Sequence, residues 1–505
     1  MKKFLVDAGS NYIVYGLQLL IGLFSIPVYL NAYGEELYGV YLLSIGLAST
    51  LMVLEFGSGK ALARYVAEFR EDNNVEKYGL ALKTCGTITI VSSLLIGCIF
   101  FILAFGRGYV FNISPKFSDD AFWLLSGAGI YSIILLIGQL SQSMLKGAGV
   151  FFRRNVLAVW QLLVQALLLG LVYFYSLSIY GLMVGMILLL LISVLLDLIT
   201  IRKEAAYLVR FDLVRNVEEK SIIDGEIWKY AKETFYLSVV NFFTQNSDQL
   251  IIAFFLDVKY VTIYTIITKP YNVIKSLISK GAIILLPHYV RINISQGRKV
   301  LDKFAREGGR MMGLLLAMVI GPSIVLLPLL IELWLGTHQY AEYVVYGQLL
   351  LGATILKNIP LMIYQALYFV GETKRLFRIE VIVVSINLTT SLILINTIGV
   401  GGVILGTCLQ ILVSAPLLLY RNPNSHLHEK SKNKGIYRDC FLATFFVMGM
   451  TAFSVLMEGY FPSVTNEKIW MLLIVCIITA CLIIFTFKGF IERRILLMRN
   501  ILRAT

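Results

Sequence analysis

The stretch Asn241-Phe-Phe-Thr-Gln-Asn-Ser-Asp248-Gln-Leu-Ile-Ile-Ala-Phe-Phe-Leu-Asp257-Val-Lys259-Tyr-Val-Thr-Ile-Tyr-Thr-Ile-Ile-Thr-Lys269-Pro270 is the centre of a hairpin, Trp228 to His288, whose two apolar arms each carry a charge in mid-run. Arms of this length read as membrane helices, because about 20 apolar residues cross a hydrocarbon core about 30 Å thick. A charge at the centre of that core costs roughly 2.5 to 3.5 kcal/mol even on insertion scales, so it faces a partner or a hydrated cavity. Counted from the turn near Val258, Asp248 and Lys269 each lie about 15 Å along their helices, at matched depth. Asn241, Gln245, Asp248 and Gln249 recur at helical spacing and form one polar stripe; Lys269, Asn272, Ser276 and Lys280 nearly repeat it on the second arm. Pro270 removes a backbone donor and bends the helix beside Lys269. Two readings of the charges stand side by side: an ion pair that glues the arms together, or groups that meet a substrate.

The rest of the chain extends this pattern. Its 505 residues are 58% hydrophobic, with a mean hydropathy of +0.78, a combination outside soluble globular composition. Fourteen apolar runs make it an all-α integral membrane protein with 14 transmembrane helices. The net charge of +13 is a matter of topology rather than nucleic-acid binding. Of the 44 Lys and Arg, Arg107, Lys116, Lys259 and Lys468 alone fall in connections on one face, and Lys269, Lys275, Lys280 and Lys357 lie within runs. All others lie in the alternate connections and at both termini, which the positive-inside rule places in the cytoplasm. The first run from Asn11 lacks a small-residue cleavage site and reads as a retained span. The six cysteines show no ligand spacing and read as small core residues.

The chain repeats itself at an offset of about 223 residues. Gln18 aligns with Asn241, Tyr41 with Tyr264, Gln142 with Gln365, Gly181-x-x-x-Gly185 with Gly402-x-x-x-Gly406, and Arg64-Tyr65-Val66, one residue out of register, with His288-Tyr289-Val290. The organisation expected is therefore two pseudo-symmetric six-helix bundles, 1–201 and 229–420, joined by a cytoplasmic linker, 202–228. A loop at 421–438, two additional helices within 439–487 and a basic amphipathic tail at 488–505, suited to anionic lipid, complete the chain. Parallel repeats of this kind characterise transporters that work by alternating access. At the same offset Gly46 stands where the second half has Lys269, so fixed charge concentrates in the second bundle.

The first bundle offers Gln139, Gln142, Gln161 and Gln165, amides that either bind a hydroxyl-rich ligand or bond helix to helix. The second adds Lys357, inside its span ahead of Pro360, which either points into a cavity or snorkels to the surface. The candidate substrate-binding residues are thus Lys269, Asp248, Asn241, Gln245, Lys280, Lys357, Gln139, Gln142, Gln161 and Gln165. Glu55 and Asp197 lie near helix ends and are expected to pair with basic neighbours. The paired Gly-x-x-x-Gly motifs read as close helix packing, not phosphate loops. No connection is long enough for a catalytic domain, and there is no P-loop, nucleophile constellation or metal-ligand set, so the chain reads as a non-enzyme without a cofactor, coupled at most to a proton or ion.

The opening pair of runs carries Tyr33-Gly-Glu-Glu-Leu-Tyr-Gly39, Glu55-Phe-Gly-Ser-Gly59 and Ala63-Arg-Tyr-Val66. These motifs resemble the amino-terminal signature of Wzx-like polysaccharide repeat-unit (O-antigen and capsule) flippases, a branch of the multidrug/oligosaccharidyl-lipid/polysaccharide exporter superfamily. The resemblance implies a MATE-like fold in the bacterial inner membrane. It also implies translocation of undecaprenyl-diphosphate-linked oligosaccharide for O-antigen, capsule or exopolysaccharide synthesis, by a monomer working beside a polysaccharide polymerase and chain-length regulator. Lys269, Lys280 and Lys357 would then attract diphosphate or acidic sugars. A lipid II flippase or a cation-coupled multidrug exporter on the same fold is the alternative; a polysaccharide polymerase would need a large loop that this chain lacks.

Overall fold

The computed structural model of the chain describes residues 2–72, 75–204, 225–284, 289, 292–293, 295–369, 372–419 and 449–454. Most of the expected linker at 202–228, the loop at 421–438, nearly all of 439–487 and the tail at 488–505 lie outside these residues. Among the described residues the protein is all-helical. Eight helices are long and apolar enough to cross a membrane, nine with one bent pair. The chain divides into two compact units, Met1–Thr262 and Ile263–Thr505.

In the first unit, α1 (Lys2–Leu51) is continuous except at Gly34, whose φ of 75° and ψ of 170° no helix contains. The rings of Tyr29 and Tyr41 lie 6.1 Å apart, whereas twelve residues of unbroken helix would separate their backbones by about 18 Å. The chain therefore folds back at Gly34, where the absent Cβ makes positive φ cheap, and α1 is two crossings. The second limb ends in a 3₁₀ turn, Met52–Glu55, followed by left-handed Phe56 and Gly57.

The polar segment 60–83, which follows the Glu55-Phe-Gly-Ser-Gly59 motif, is helical at both ends. Helix α2 (Ser58–Asp72) buries Ser58, Ala61, Leu62, Tyr65 and Val66 and exposes Lys60 and Arg64. One apolar face on a short helix makes too narrow a stripe to cross a membrane but suffices to dock the helix on its neighbours. Its apolar face packs on Tyr78 and Cys85 of α3 (Val75–Phe105) and Met144 and Leu145 of α5 (Ser118–Gly147). Between α3 and α5 lies a short turn, α4 (Arg107–Val110), and α6 (Phe151–Tyr175) and α7 (Ile179–Glu204) follow. Leu94, Ile102, Leu163, Leu167, Leu188 and Leu195 are exposed along these helices, as lipid contact requires. Cys85 is buried, as expected; Cys98 is exposed on the same helix.

The hairpin at the centre of the sequence forms α8 (Gly225–Phe255) and α9 (Lys259–Ile284). Its turn is strapped to the Gly34 end of the first unit. Asn112 and Asp257 form a parallel bridge, the Thr262 hydroxyl donates to the Glu35 carbonyl at 2.8 Å, and the Ser114 hydroxyl donates to the Glu36 carboxylate. The Tyr33 hydroxyl donates to the Leu177 carbonyl at 2.8 Å, joining the connection between α6 and α7 to the same end.

The second unit continues with α10 (Arg298–Leu335), α11 (Ala341–Asn358), α12 (Leu361–Phe369), α13 (Thr373–Ile398) and α14 (Val400–Leu419). Tyr289, the repeat partner of Tyr65, is buried in a cluster with Phe304, Met362 and Leu367, as Tyr65 is with Met144. Pro328 has no N–H for the Ile324 carbonyl; Gln348 of α11 donates to that carbonyl at 2.9 Å and to Ser454 at 2.7 Å. A β-carbon on Gly402 would come within 2.6 Å of the Leu394 backbone, and Gly406 lies against Ser391 and Asn387. The second Gly-x-x-x-Gly is thus the contact face of α13 and α14, where Asn387 also donates to Gln410 at 2.8 Å.

Candidate functional site: charged and amide groups inside the spans

Asp248 lies seven residues before the last residue of α8, Phe255, and is buried, with the Ser247 hydroxyl 3.5 Å from its carboxylate. Gln249, next on the stripe, fills the space over Gly46: a β-carbon there would come within 2.6 Å of the Gln249 amide oxygen. The small residue of one repeat thus makes room for an amide, where the other repeat places Lys269. Asn241 and Gln245 belong to α8 and Lys280 to α9, but their side chains lie outside the described residues. Gln139, Gln142, Gln161 and Gln165 are all half-buried. Measured from the helix ends nearest α2, they lie roughly 12, 8, 15 and 21 Å along α5 and α6.

Around Gln142 the structure assembles a cluster that no single segment of sequence displays. Asp197 of α7 is buried, accepts a hydrogen bond from the Ser141 hydroxyl at 3.4 Å and interacts with the Gln142 amide and the Arg154 guanidinium. Arg154, in the first turn of α6, is half-buried with its Nε buried and without an acceptor among the described residues. Lys146, at the end of α5, interacts with both Arg154 and Glu55. The Glu55 carboxylate is held at the start of α2 by the Gly59 N–H, 2.7 Å away. Glu55 and Asp197, expected to pair with basic neighbours, have such neighbours among the described residues, Lys60, Lys146 and Arg154, in one shared network, but form no contact ion pair with them there.

In the second unit Lys269 is half-buried ten residues into α9, and no described carboxylate of that unit forms an ion pair with it. Lys357 is half-buried at the end of α11, where the span bends by 47° into α12. The bend follows from Pro360 and is braced by Gly309 of α10, on which a β-carbon would collide with the Ile359 carbonyl. Lys357 interacts with the carboxylate of Glu380 on α13, which also bonds to the Tyr364 hydroxyl on α12. Glu380 and Tyr364 complete the set that the sequence left out. Glu380 is the second residue of an apolar run, where a charge reads as a boundary; the i, i+7 spacing of Lys357 and Tyr364 across Pro360 was the available signal.

Residues 2–292 match the family model described as "Polysaccharide biosynthesis protein". The chain belongs to the polysaccharide biosynthesis protein family. Its fold is similar to that of solved membrane transporters. "Lipid II flippase MurJ, inward closed conformation" superimposes with a TM-score of 0.68 at 16% identity, over 96% of this chain and 99% of that one. An inward-facing "multidrug resistance MATE family transporter of the MOP superfamily" does so with a TM-score of 0.58 at 13% identity, over 86% and 96%. No curated protein matches the chain significantly. This family member is therefore a multi-pass membrane protein, all-helical among the described residues, with the MATE-like architecture that the opening motifs implied.

Proposed function

We propose that the protein is a flippase that moves undecaprenyl-diphosphate-linked oligosaccharide repeat units from the cytoplasmic to the outer leaflet of the bacterial inner membrane, by alternating access of its two bundles. The observation that carries this reading is Lys269, a cation deep within α9 with no described carboxylate paired to it in its own unit. A cation at that depth suits an anionic headgroup and opposes a cationic drug. Lys357, Gln142 and Asp248 are further candidates for the headgroup path, the amides for sugar hydroxyls and the lysines for phosphate. Family membership supports a role in surface polysaccharide synthesis, with O-antigen, capsule or exopolysaccharide as the polymer and a polymerase as the downstream partner.

A lipid II flippase is the second reading, favoured by the near full-length superposition on MurJ. Deleting the gene and analysing lipid-linked intermediates separates the two. Accumulation of undecaprenyl-linked repeat units together with loss of surface polymer supports the first; accumulation of lipid II supports the second. Normal polymer with new sensitivity to cationic dyes overturns both.

A further inference from the structure

The first unit carries an arginine whose surroundings differ from those of a structural ion pair. A buried arginine kept for packing makes direct, commonly bidentate bonds to its carboxylate, because an unpaired buried donor is costly. Arg154 and Asp197 attract one another yet form no contact ion pair among the described residues. Asp197 instead meets the Gln142 amide and lies 3.4 Å from the Ser141 hydroxyl, which also donates to the Gly138 carbonyl at 2.8 Å, and Arg154 Nε has no acceptor among the described residues. Arg154 lies about 5 Å into α6, on the helix terminus whose dipole favours anions. Lys146 adds positive charge beside it, while Glu55, which interacts with Lys146 and Lys60, is engaged by Gly59.

We propose that Arg154 binds the phosphate of a lipid headgroup at the α2 end of the first unit, and that Asp197 is its resident counter-ion, from which the phosphate draws the guanidinium away. The planar fork of arginine matches two phosphate oxygens, and the depth, one helical turn from the end, is that of lipid headgroups. The proposal rests on the reading of the substrate as a phosphate-bearing lipid. Asp197 competes with the ligand, so its removal has a sign that distinguishes this arrangement from a structural pair.

The test is lipid binding to the purified full-length protein in micelles, with undecaprenyl diphosphate and phosphatidylglycerol as probes. Arg154→Gln should weaken binding of undecaprenyl diphosphate by about tenfold, the loss expected for a charge-assisted hydrogen bond. Arg154→Lys should recover part of that loss, and Asp197→Asn should tighten binding severalfold. The same variant pattern with phosphatidylglycerol instead would support the site with bilayer lipid as its ligand. Equal binding by wild type and Arg154→Gln, or weaker binding by an Asp197→Asn protein that unfolds at the wild-type temperature, overturns the proposal and leaves the flippase reading standing. Failure of the wild type to bind either lipid overturns both.

Discussion

The carboxylate of Glu55 accepts a hydrogen bond from the backbone N–H of Gly59 at 2.7 Å, closing the turn between the second limb of α1 and α2. The acid in the signature motif is therefore a helix cap, made reachable by left-handed Phe56 and Gly57. Glu55→Ala should lower stability by about 1 kcal/mol, the usual value of a lost cap, and Glu55→Gln, which keeps the acceptor, should remain close to wild type. Thermal unfolding of the purified protein reads both. Polymer export lost in Glu55→Gln at unchanged stability would give the charge itself a role beyond capping.

Gln348 replaces a bond that Pro328 cannot make. Gln348→Leu should cost about 1 to 3 kcal/mol by leaving the Ile324 carbonyl and Ser454 without their donor. Pro328→Ala restores an N–H in α10, so the double variant should recover part of the loss. A double-mutant cycle on unfolding free energies measures the coupling, and strict additivity would refute it.

At Gly309 the approach of the Ile359 carbonyl leaves no room for a β-carbon. Gly309→Ala should destabilise the second unit by about 1 to 3 kcal/mol, the range for overpacking, whereas Gly297→Ala meets no neighbour and suffers only the strain of its positive φ. Limited proteolysis alongside thermal unfolding distinguishes them: unchanged resistance in Gly309→Ala would show that the α10 contact does not brace the bend.

Lys269→Ala should reduce transport of an anionic lipid-linked oligosaccharide by about tenfold or more, and Lys269→Arg should retain most of it. Surface polymer per cell, normalised to the amount of protein in the membrane, is the readout. Full activity in Lys269→Ala would remove the lysine from the headgroup path.

The parts of this fold that the sequence displayed were those governed by local chemistry. The return at Gly34, the turn at Asp257–Lys259 and the packing face at Gly402 and Gly406 each follow from residues adjacent in the chain. Tyr65 and Tyr289 announced the duplication because both occupy the same kind of buried cluster. Helix α2 was hidden because fifteen residues with one apolar face have low mean hydropathy. The network of Glu55, Lys146, Arg154 and Asp197 was hidden differently: its members come from four separate segments, each reading as an ordinary helix-end charge. Lys357 was visible and Glu380 was not, since a carboxylate at the start of an apolar run has an innocent explanation until the bend brings a lysine to it.

Pro360 has no amide hydrogen to return to the Leu356 carbonyl, so the joint between α11 and α12 lacks a bond that an unbroken helix would have. Yet the joint is not slack: Asn358 donates to Thr354 at 2.7 Å on one side, and the Tyr364 amide returns to the Pro360 carbonyl at 2.9 Å on the other. The span is in effect two stiff levers meeting over a fulcrum at Gly309. A force applied to Tyr364 or Glu380 reaches Lys357 as a swing of one lever against the other, with no turn of helix melted on the way.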